Sequence, residues 1–335
     1  HTGRESQPFF FEDHDPRESS RTWHVERSHF DQVLFTNAAR KGAQCRDATR
    51  VDDVELSGSG PHCVRHRGPD GERRETRARV VVDATGQQAL LAGKLGLRQN
   101  DPLLKKAAIW GHFTGARLDR VRSGVSTIIL HTHVKRAWFW DIPLSSERVS
   151  VGLVSDNDYL LKGRGTPQEV FAEELQNCPA VGERLAGSAP CGSLRVTKEF
   201  SYTTRQHAGD GWVLVGDAFG FIDPIYSSGV FLALKSGEMA ADAIREGLRT
   251  GDLSERQLSR WVEPFKDGTH WIRKLVRAFY NDSFSFGKFM AAHPQHEGAL
   301  TDLLIGRVFH EGAGRIFDDL DPWIEKSSEA MARQG

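Results

Sequence analysis

The sequence predicts an α/β fold: a doubly wound three-layer domain, interleaved with a β-sheet domain and followed by a helical C-terminal region. Three observations carry that expectation. Gly211 to Gly229, GWVLVGDAFGFIDPIYSSG, reads as a buried strand, an acidic turn and a helix start. Arg79 to Gly86, RVVVDATG, reads as a second buried strand that delivers Asp83 and a glycine turn. Residues 106–155 are instead a succession of strands, and from Leu253 to Gly335 the pattern is helical. No repeat or low-complexity linker separates these parts. The domains are therefore expected to interleave, with 20–95 and 195–250 forming one, 100–195 the β-rich one, and 253–335 the helical region.

In chain order, Phe30, Val33 and Leu34 fall at helical spacing, which predicts a helix near 28–41 with Arg27 just before it. A strand near 51–56 follows, and then a hairpin around Gly68-Pro69-Asp70-Gly71. The basic run Arg65 to Arg79 alternates with Asp70, Glu72 and Glu75, which describes a solvated hairpin rather than a nucleic-acid groove. Next come AAIWGHFTGA, STIILHTHV, AWFWDIP and VSVGLV, four strand-like segments. Within WFWDIP, strand alternation puts Trp138, Trp140 and Ile142 on one face and Phe139 and Asp141 on the other. Two indoles then share a surface, as an aromatic stripe in a sheet core would also have it.

Thr166-Pro167-Gln168-Glu169 is a capping box with proline at the first helical position, opening a helix to about Cys178. Residues 192–206 return as a strand. Trp212 to Val215 is a short apolar run, and Gly216 lets the chain turn so that Asp217 stands at the strand's carboxyl end, where open α/β sheets bind ligands. Asp223-Pro224 makes a second turn. Ser227-Ser228-Gly229 then starts a helix whose free amides and positive dipole end suit an anion.

Composition narrows the classes. At 335 residues the chain can bury a large core, and 27% charged residues with a formal net charge of −1 give no global attraction to nucleic acid. No apolar stretch approaches the roughly 20 residues that span a bilayer. His1 to Gln7 is not a signal peptide, so the cytoplasm is the expected location. Cys45, Cys63, Cys178 and Cys191 are isolated and read as free thiols. His62 and Cys63, with His66 nearby, point to opposite faces of an alternating strand, so no metal site is expected there or elsewhere.

The GDA, DP and SSG run resembles the second FAD signature of flavoprotein monooxygenases of the hydroxybenzoate hydroxylase type. RVVVDATG is similar to the strand that closes over the adenosine side of FAD in that superfamily. HVERSHFDQVL resembles its V-x-R-x-x-F-D-x-x-L element, whose arginine lies near the FAD pyrophosphate, although a solvated helix-start charge is the plainer reading of Arg27 alone. WFWDIP is similar to the W-x-W-x-I-P motif of flavin-dependent halogenases. The resemblance implies a Rossmann-like FAD-binding domain. Its cofactor-binding residues would be Arg27, Asp83, Gly86, Gly216, Asp217, Pro224 and Gly229, and the amides of Ser228 and Gly229 would hold halide. It also implies that Trp138 and Trp140 serve catalysis by keeping the organic substrate apart from the reacting flavin. Tryptophan-type halogenases carry a glutamate before the Ser-Thr-Gly turn, whereas this chain reads Tyr226-Ser227-Ser228-Gly229, so the resemblance is to the phenol and pyrrole type. Phe279-Tyr280 and Phe284 to Phe289 resemble the aromatic C-terminal region of that group, as would a core-facing aromatic helix.

The Gly-x-Gly-x-x-Gly turn that opens the superfamily does not occur in residues 1–335. The chain is therefore expected to be a fragment, or a protein whose N-terminal segment was lost. The halogenase catalytic lysine belongs to that segment, and Lys94 and Lys235 read as helix-surface residues. The implied activity is FAD-dependent halogenation of a small electron-rich aromatic substrate with oxygen and halide. No nicotinamide domain is recognisable, so a separate flavin reductase would supply reduced FAD. Whether the substrate is free or tethered to a carrier protein stays open. So do two other readings: a monooxygenase or geranylgeranyl-reductase-like flavoprotein, and a non-catalytic remnant of the fold.

Overall fold

The computed structural model describes residues 9–58, 60–121, 124–133, 137–198 and 200–333. His1 to Gln7, Val134, Glu199 and Gly335, named above, lie outside the described residues. The chain divides into two units, one of Trp23–Arg46 with Asn100–Ser201, the other of Phe9–Thr22, Asp47–Gln99 and Tyr202 onward. This differs from the expected division at three places. Residues 23–46 and 195–201 group with the strand-rich part, and the C-terminal helices group with residues 47–99 rather than standing apart.

The strand-rich unit is an antiparallel sheet. Lys106–Thr114 pairs with Arg148–Asp156, which pairs with Ala137–Pro143, which pairs with Ile128–His131. Ala189–Pro190 and Arg195–Lys198 both close on the outer side of Lys106–Thr114. One sheet face carries Ile109, Phe139, Val149, Val151 and Leu153 into a core shared with Val170 and Phe171. The capping box at Thr166 forms as expected, and its helix runs Pro167–Gln176. The helix Arg27–Arg40 buries none of its residues, and Val33, Leu34 and Phe35 are exposed. Its apolar spacing thus marks a helix without marking a buried face in this unit.

In the other unit, Arg50–Glu55, His62–Arg67 and Arg73–Ala78 form a three-stranded antiparallel sheet. Arg65 pairs there with Asp53 at 2.9 Å and with Glu75 at 3.2 Å, the solvated hairpin its alternating charges predict. The predicted strand at 192–206 is split between units, because Tyr202–Thr204 pairs with Gly220–Phe221 here. A small mixed sheet orders Ala208–Gly209, Trp212–Leu214 and Val81–Asp83, and the helix Gly229–Thr250 belongs to the same unit. Val213, Leu214, Ala218, Phe219, Leu258 and Phe265 build its core. Burying each large apolar side chain contributes roughly 1.5–3 kcal/mol, so these short strands are stabilised by packing more than by their few ladder bonds. The helices Val262–Phe279, Phe286–Ala292, Glu297–Leu304 and Phe317–Ala332 complete the unit. Among the described residues no helix is long and apolar enough to cross a membrane. The four cysteines are free thiols.

Candidate active site

Val81–Asp83 and Trp212–Leu214 are parallel neighbours, with Trp212 opposite Val81 and Leu214 opposite Asp83. The Val215 amide continues the ladder by donating to the Asp83 carbonyl at 3.0 Å. Both strands therefore end on one edge of the sheet, where the turns Gly86–Gln88 and Gly216–Ala218 lie against each other. Gly216 has φ +57°, and a Cβ there would lie 3.2 Å from the Ala233 side chain. Only glycine meets both conditions without strain. Its amide donates to Ser236 Oγ at 2.8 Å.

Two more hydroxyls fix the turn. Tyr202 donates to the carbonyl of Asp217, and Thr204 Oγ1 donates to that of Phe219 at 2.8 Å. Tyr202 is fully buried, with the Arg98 guanidinium 3.8 Å from its ring centre. Burial pushes the phenol up to about 12; the Arg98 charge works against this, and Asp217 and Asp83 add to it. The hydroxyl consequently stays protonated and keeps donating. Tyr202, Thr204 and Ser236 are site residues that no motif in the sequence marks.

The second turn is equally braced. Asp223 is buried; its Oδ1 accepts the Ile225 amide at 2.9 Å and its Oδ2 accepts the Tyr280 hydroxyl at 3.1 Å. Ser227 follows with φ +53°, rare for a residue other than glycine, and its amide donates to the Pro224 carbonyl at 3.0 Å. Ser228 stands at the N-cap position of Gly229–Thr250 with no side-chain cap. The Leu232 amide reaches the Ser228 carbonyl at 2.9 Å, so the amides of Gly229, Val230 and Phe231 precede the first intrahelical bond. Their donors and the helix dipole together favour an anion.

Asp217, Phe221, Ser228 and Gly229 line a cavity of about 190 Å³ that is also lined by Lys266, His270 and Arg273 from Val262–Phe279. Cofactor cavities commonly span roughly 300–1,000 Å³, so this one takes one end of a large ligand. Burial, and then the charges of Lys274 and Arg277, hold His270 below its ordinary value. The site offers uncapped amides, a strand-end carboxylate and a glycine with no room for a Cβ. That set fits hydroxyls brought to Asp217 and negative charge brought to the helix start, which the ribityl and pyrimidine end of a reduced flavin, or a halide, provides.

The remaining residues expected at a site fall as follows. Asp83 accepts the Thr85 amide and hydroxyl on Oδ1, at 2.9 and 2.6 Å, and the Leu91 amide on Oδ2 at 2.7 Å. Its carboxylate is therefore committed to its own loop, which carries Gly86 at φ +64°. A Cβ at Gly229 would make only an ordinary 3.5 Å contact with Phe221. Arg27, in the strand-rich unit, is exposed and forked onto Asp31, with both contacts at 3.0 Å. Lys94 bonds to Asp53 and the Val54 carbonyl, and Lys235 to Glu238 at 2.8 Å, both on helix surfaces as expected. His62 Nδ1 accepts the Ser57 amide at 3.0 Å, and His66 Nε2 lies 3.0 Å from Thr76 Oγ1, so each histidine has its own local partner.

Within the strand-rich unit, Trp138 is buried and Trp140 half-buried on one face, their ring centres 6.1 Å apart. Trp140 lies opposite Gly152, where a Cβ would sit 2.1 Å from the indole, and its Nε1 donates to Ser150 Oγ at 3.0 Å. On the other face Phe139 meets Phe171 edge-on at 5.6 Å, and Asp141 lies 3.4 Å from Arg184. Burial raises the Asp141 carboxyl above its ordinary value, and Arg184 works against that shift.

A family model described as tryptophan halogenase matches residues 11–286. The chain belongs to the tryptophan halogenase family. Among its relatives, a 1H-pyrrole-2-carbonyl peptidyl-carrier-protein chlorinase of Pseudomonas fluorescens is 29% identical over 309 residues, 91% of this chain and 68% of that protein. The corresponding brominase of Pseudoalteromonas luteoviolacea is 29% identical over 298 residues, 86% of this chain and 70% of that protein. The solved structure of the flavin-dependent brominase Bmp2 superposes with a TM-score of 0.81 at 28% identity, covering 94% of this chain and 77% of that one. The fold and family expected from the GDA, DP and SSG run and from WFWDIP are thus those of flavin-dependent halogenases.

Proposed function

We propose that this chain halogenates an electron-rich aromatic ring of the pyrrole or phenol class, with the ring presented on a carrier protein as in the pyrrole chlorinase and brominase relatives. The observation that carries this reading is the uncapped start of Gly229–Thr250 in the same cavity as Asp217. FAD and halide are the family's cofactors. When bound, FAD supplies the oxidising chemistry that, with oxygen, makes halide electrophilic. The chain's own residues bind and orient. Asp217 accepts hydrogen bonds from ribityl hydroxyls, and Gly216 and Gly86 let the backbone come close. The amides of Ser228 and Gly229 hold halide, while Pro224 fixes the turn before them. Asp83 acts through its loop. Arg27 would have to leave Asp31 for a phosphate. Trp138 and Trp140 serve the halogenation step without holding flavin. Reduced FAD comes from a separate reductase.

The test is an FAD titration followed by fluorescence, and then turnover with a flavin reductase and a pyrrolyl carrier protein, with and without halide. Asp217→Ala is expected to weaken FAD binding at least about tenfold, the value of one charge-assisted hydrogen bond. Trp138→Ala is expected to keep FAD and lose halogenation. A hydroxylated product made without halide would favour the monooxygenase reading, and absence of FAD binding would favour the non-catalytic one.

A further inference from the structure

A second cluster of polar side chains lies among the C-terminal helices, outside the cavity at Asp217. The chain leaves Phe286–Ala292 at His293, whose φ of −131° ends the helix, and Pro294 restarts it as the single turn Pro294–His296. Both imidazoles then stack on Phe289, His293 at 4.8 Å and 27°, His296 at 6.0 Å and 10°. Phe289 is fully buried, and the Trp323 ring meets it at 5.9 Å and meets His293 at 5.4 Å. Packing on three sides therefore fixes where the rings point. Asp319, in the first turn of Phe317–Ala332, brings Oδ2 to 2.8 Å from His296 Nε2 and 3.8 Å from His293 Nδ1.

We propose that His293, His296 and Asp319 bind a divalent ion of the zinc class, with a fourth position open to water. The three donor atoms lie within 4.8 Å of one another. A tetrahedral ion with bonds of about 2.0–2.2 Å separates its ligand atoms by roughly 3.3 Å, between the two distances measured to Asp319. Small side-chain rotations close the difference. A simple histidine–carboxylate pair accounts for His296 and Asp319 but not for His293 turned toward the same oxygen. The Gln295 amide nitrogen, 3.3 Å from His293 Nδ1 and also bonded to Asp319, is a polar neighbour the ion would displace there. Two imidazoles and one carboxylate are borderline to hard donors, a set that suits zinc and its neighbours rather than calcium or copper(I). Asp319 is half exposed and His293 partly so, which gives the ion a way in. The bound ion would clip the Phe286–His296 segment to the last helix, a stabilising role that involves no redox step.

The experiment titrates the whole chain with zinc chloride by calorimetry at about pH 7.5, above the ordinary histidine value. Asp319→Asn and His293→Gln run beside it, and cobalt(II) absorption reads the coordination geometry. The expected result is saturable binding of one ion per chain, weakened at least about tenfold by each substitution. A rise in Tm with zinc should be seen in the parent chain and not in the variants. Asp319 is surface-exposed, so its amide variant keeps the fold and its loss of binding cannot come from unfolding. Absence of saturable binding, or binding unchanged in both variants, would overturn the proposal.

Discussion

Between Gly216 and Gly229 the groups offered to the cavity are backbone amides and a carboxylate, whereas along Trp138–Pro143 the functional candidates are indole rings. The first region depends on conformation: Gly216 and Ser227 hold positive φ at the turns that carry Asp217, Ser228 and Gly229 to one cavity. The second depends on space, since the Trp140 indole lies where any side chain at position 152 would be. A backbone-built site should therefore fail when a turn residue gains a Cβ, and a ring-built site when the strand opposite gains one.

The sharpest way to break the first region is Gly216→Val. A β-branched residue at φ +57° costs roughly 1–3 kcal/mol in strain, and crowding against Ala233 adds roughly 1–3 kcal/mol more. A loss of about 4 kcal/mol in denaturant unfolding is expected, along with loss of FAD binding. Unchanged stability would mean that the turn relaxes and its glycine is not required.

Gly152→Ala is the matching change on the strand. The new methyl would fall on the Trp140 ring and displace it at a cost of about 2 kcal/mol, visible as a red-shifted tryptophan emission. In a Trp140→Ala background the same substitution should be nearly neutral. Additive effects of the two changes would show that Gly152 does not make room for the indole.

Both regions were legible in the sequence only in part. A glycine at a strand end and two indoles two residues apart on a strand leave a local trace: the chain turns at Gly216 before Asp217, and Trp138 and Trp140 share one face of their strand. Tyr202, Thr204 and Ser236 brace the same turn from 15 to 20 residues away. A hydroxyl bonded across that distance has no spacing to read. Lys266, His270 and Arg273 are likewise hidden, because basic side chains at helical intervals look like a solvated face until the cavity beside them is seen. Asp83 was legible as a strand end but not as a carboxylate already spent on Thr85 and Leu91. The grouping of residues 23–46 with the sheet rests on tertiary contacts, and helical periodicity says nothing about those.

Beneath the turn region, His207 stacks on Phe219 at 3.9 Å, and its Nε2 is buried without a hydrogen-bond partner. Burial lowers its pKa from 6.5 to about 4, the Lys266 charge adding to the shift and Glu263 opposing it. The unfolded chain takes up the proton first. This contribution to stability is therefore complete above about pH 6.5 and is lost as pH falls toward 4. The loss should reach about 2 kcal/mol at pH 5. His207→Leu should remove that slope, measured as the difference between variant and parent in unfolding at pH 7 and pH 5. A parallel pH dependence in the two proteins would show that the imidazole is not the titrating group.

Gly216 and Ser227 provide the finest comparison, since they hold nearly the same angle within one turn region, φ +57° and +53°, and only one is glycine. A Cβ at Gly216 has Ala233 at 3.2 Å, whereas Ser227 is exposed and keeps its side chain. The left-handed conformation costs an ordinary residue about 1 kcal/mol. Replacing serine by glycine returns much of that as extra freedom of the unfolded chain, worth about 0.4–1 kcal/mol. Ser227→Gly should consequently change stability by less than about 1 kcal/mol, toward stabilisation, in the same assay in which Gly216→Val fails. Since the amides of Ser228 and Gly229 are placed by the backbone angle and not by the Ser227 hydroxyl, halide dependence should survive the change. If halide dependence disappeared while the fold stayed intact, the serine side chain would join the proposed anion site, and that site would no longer be built from backbone alone.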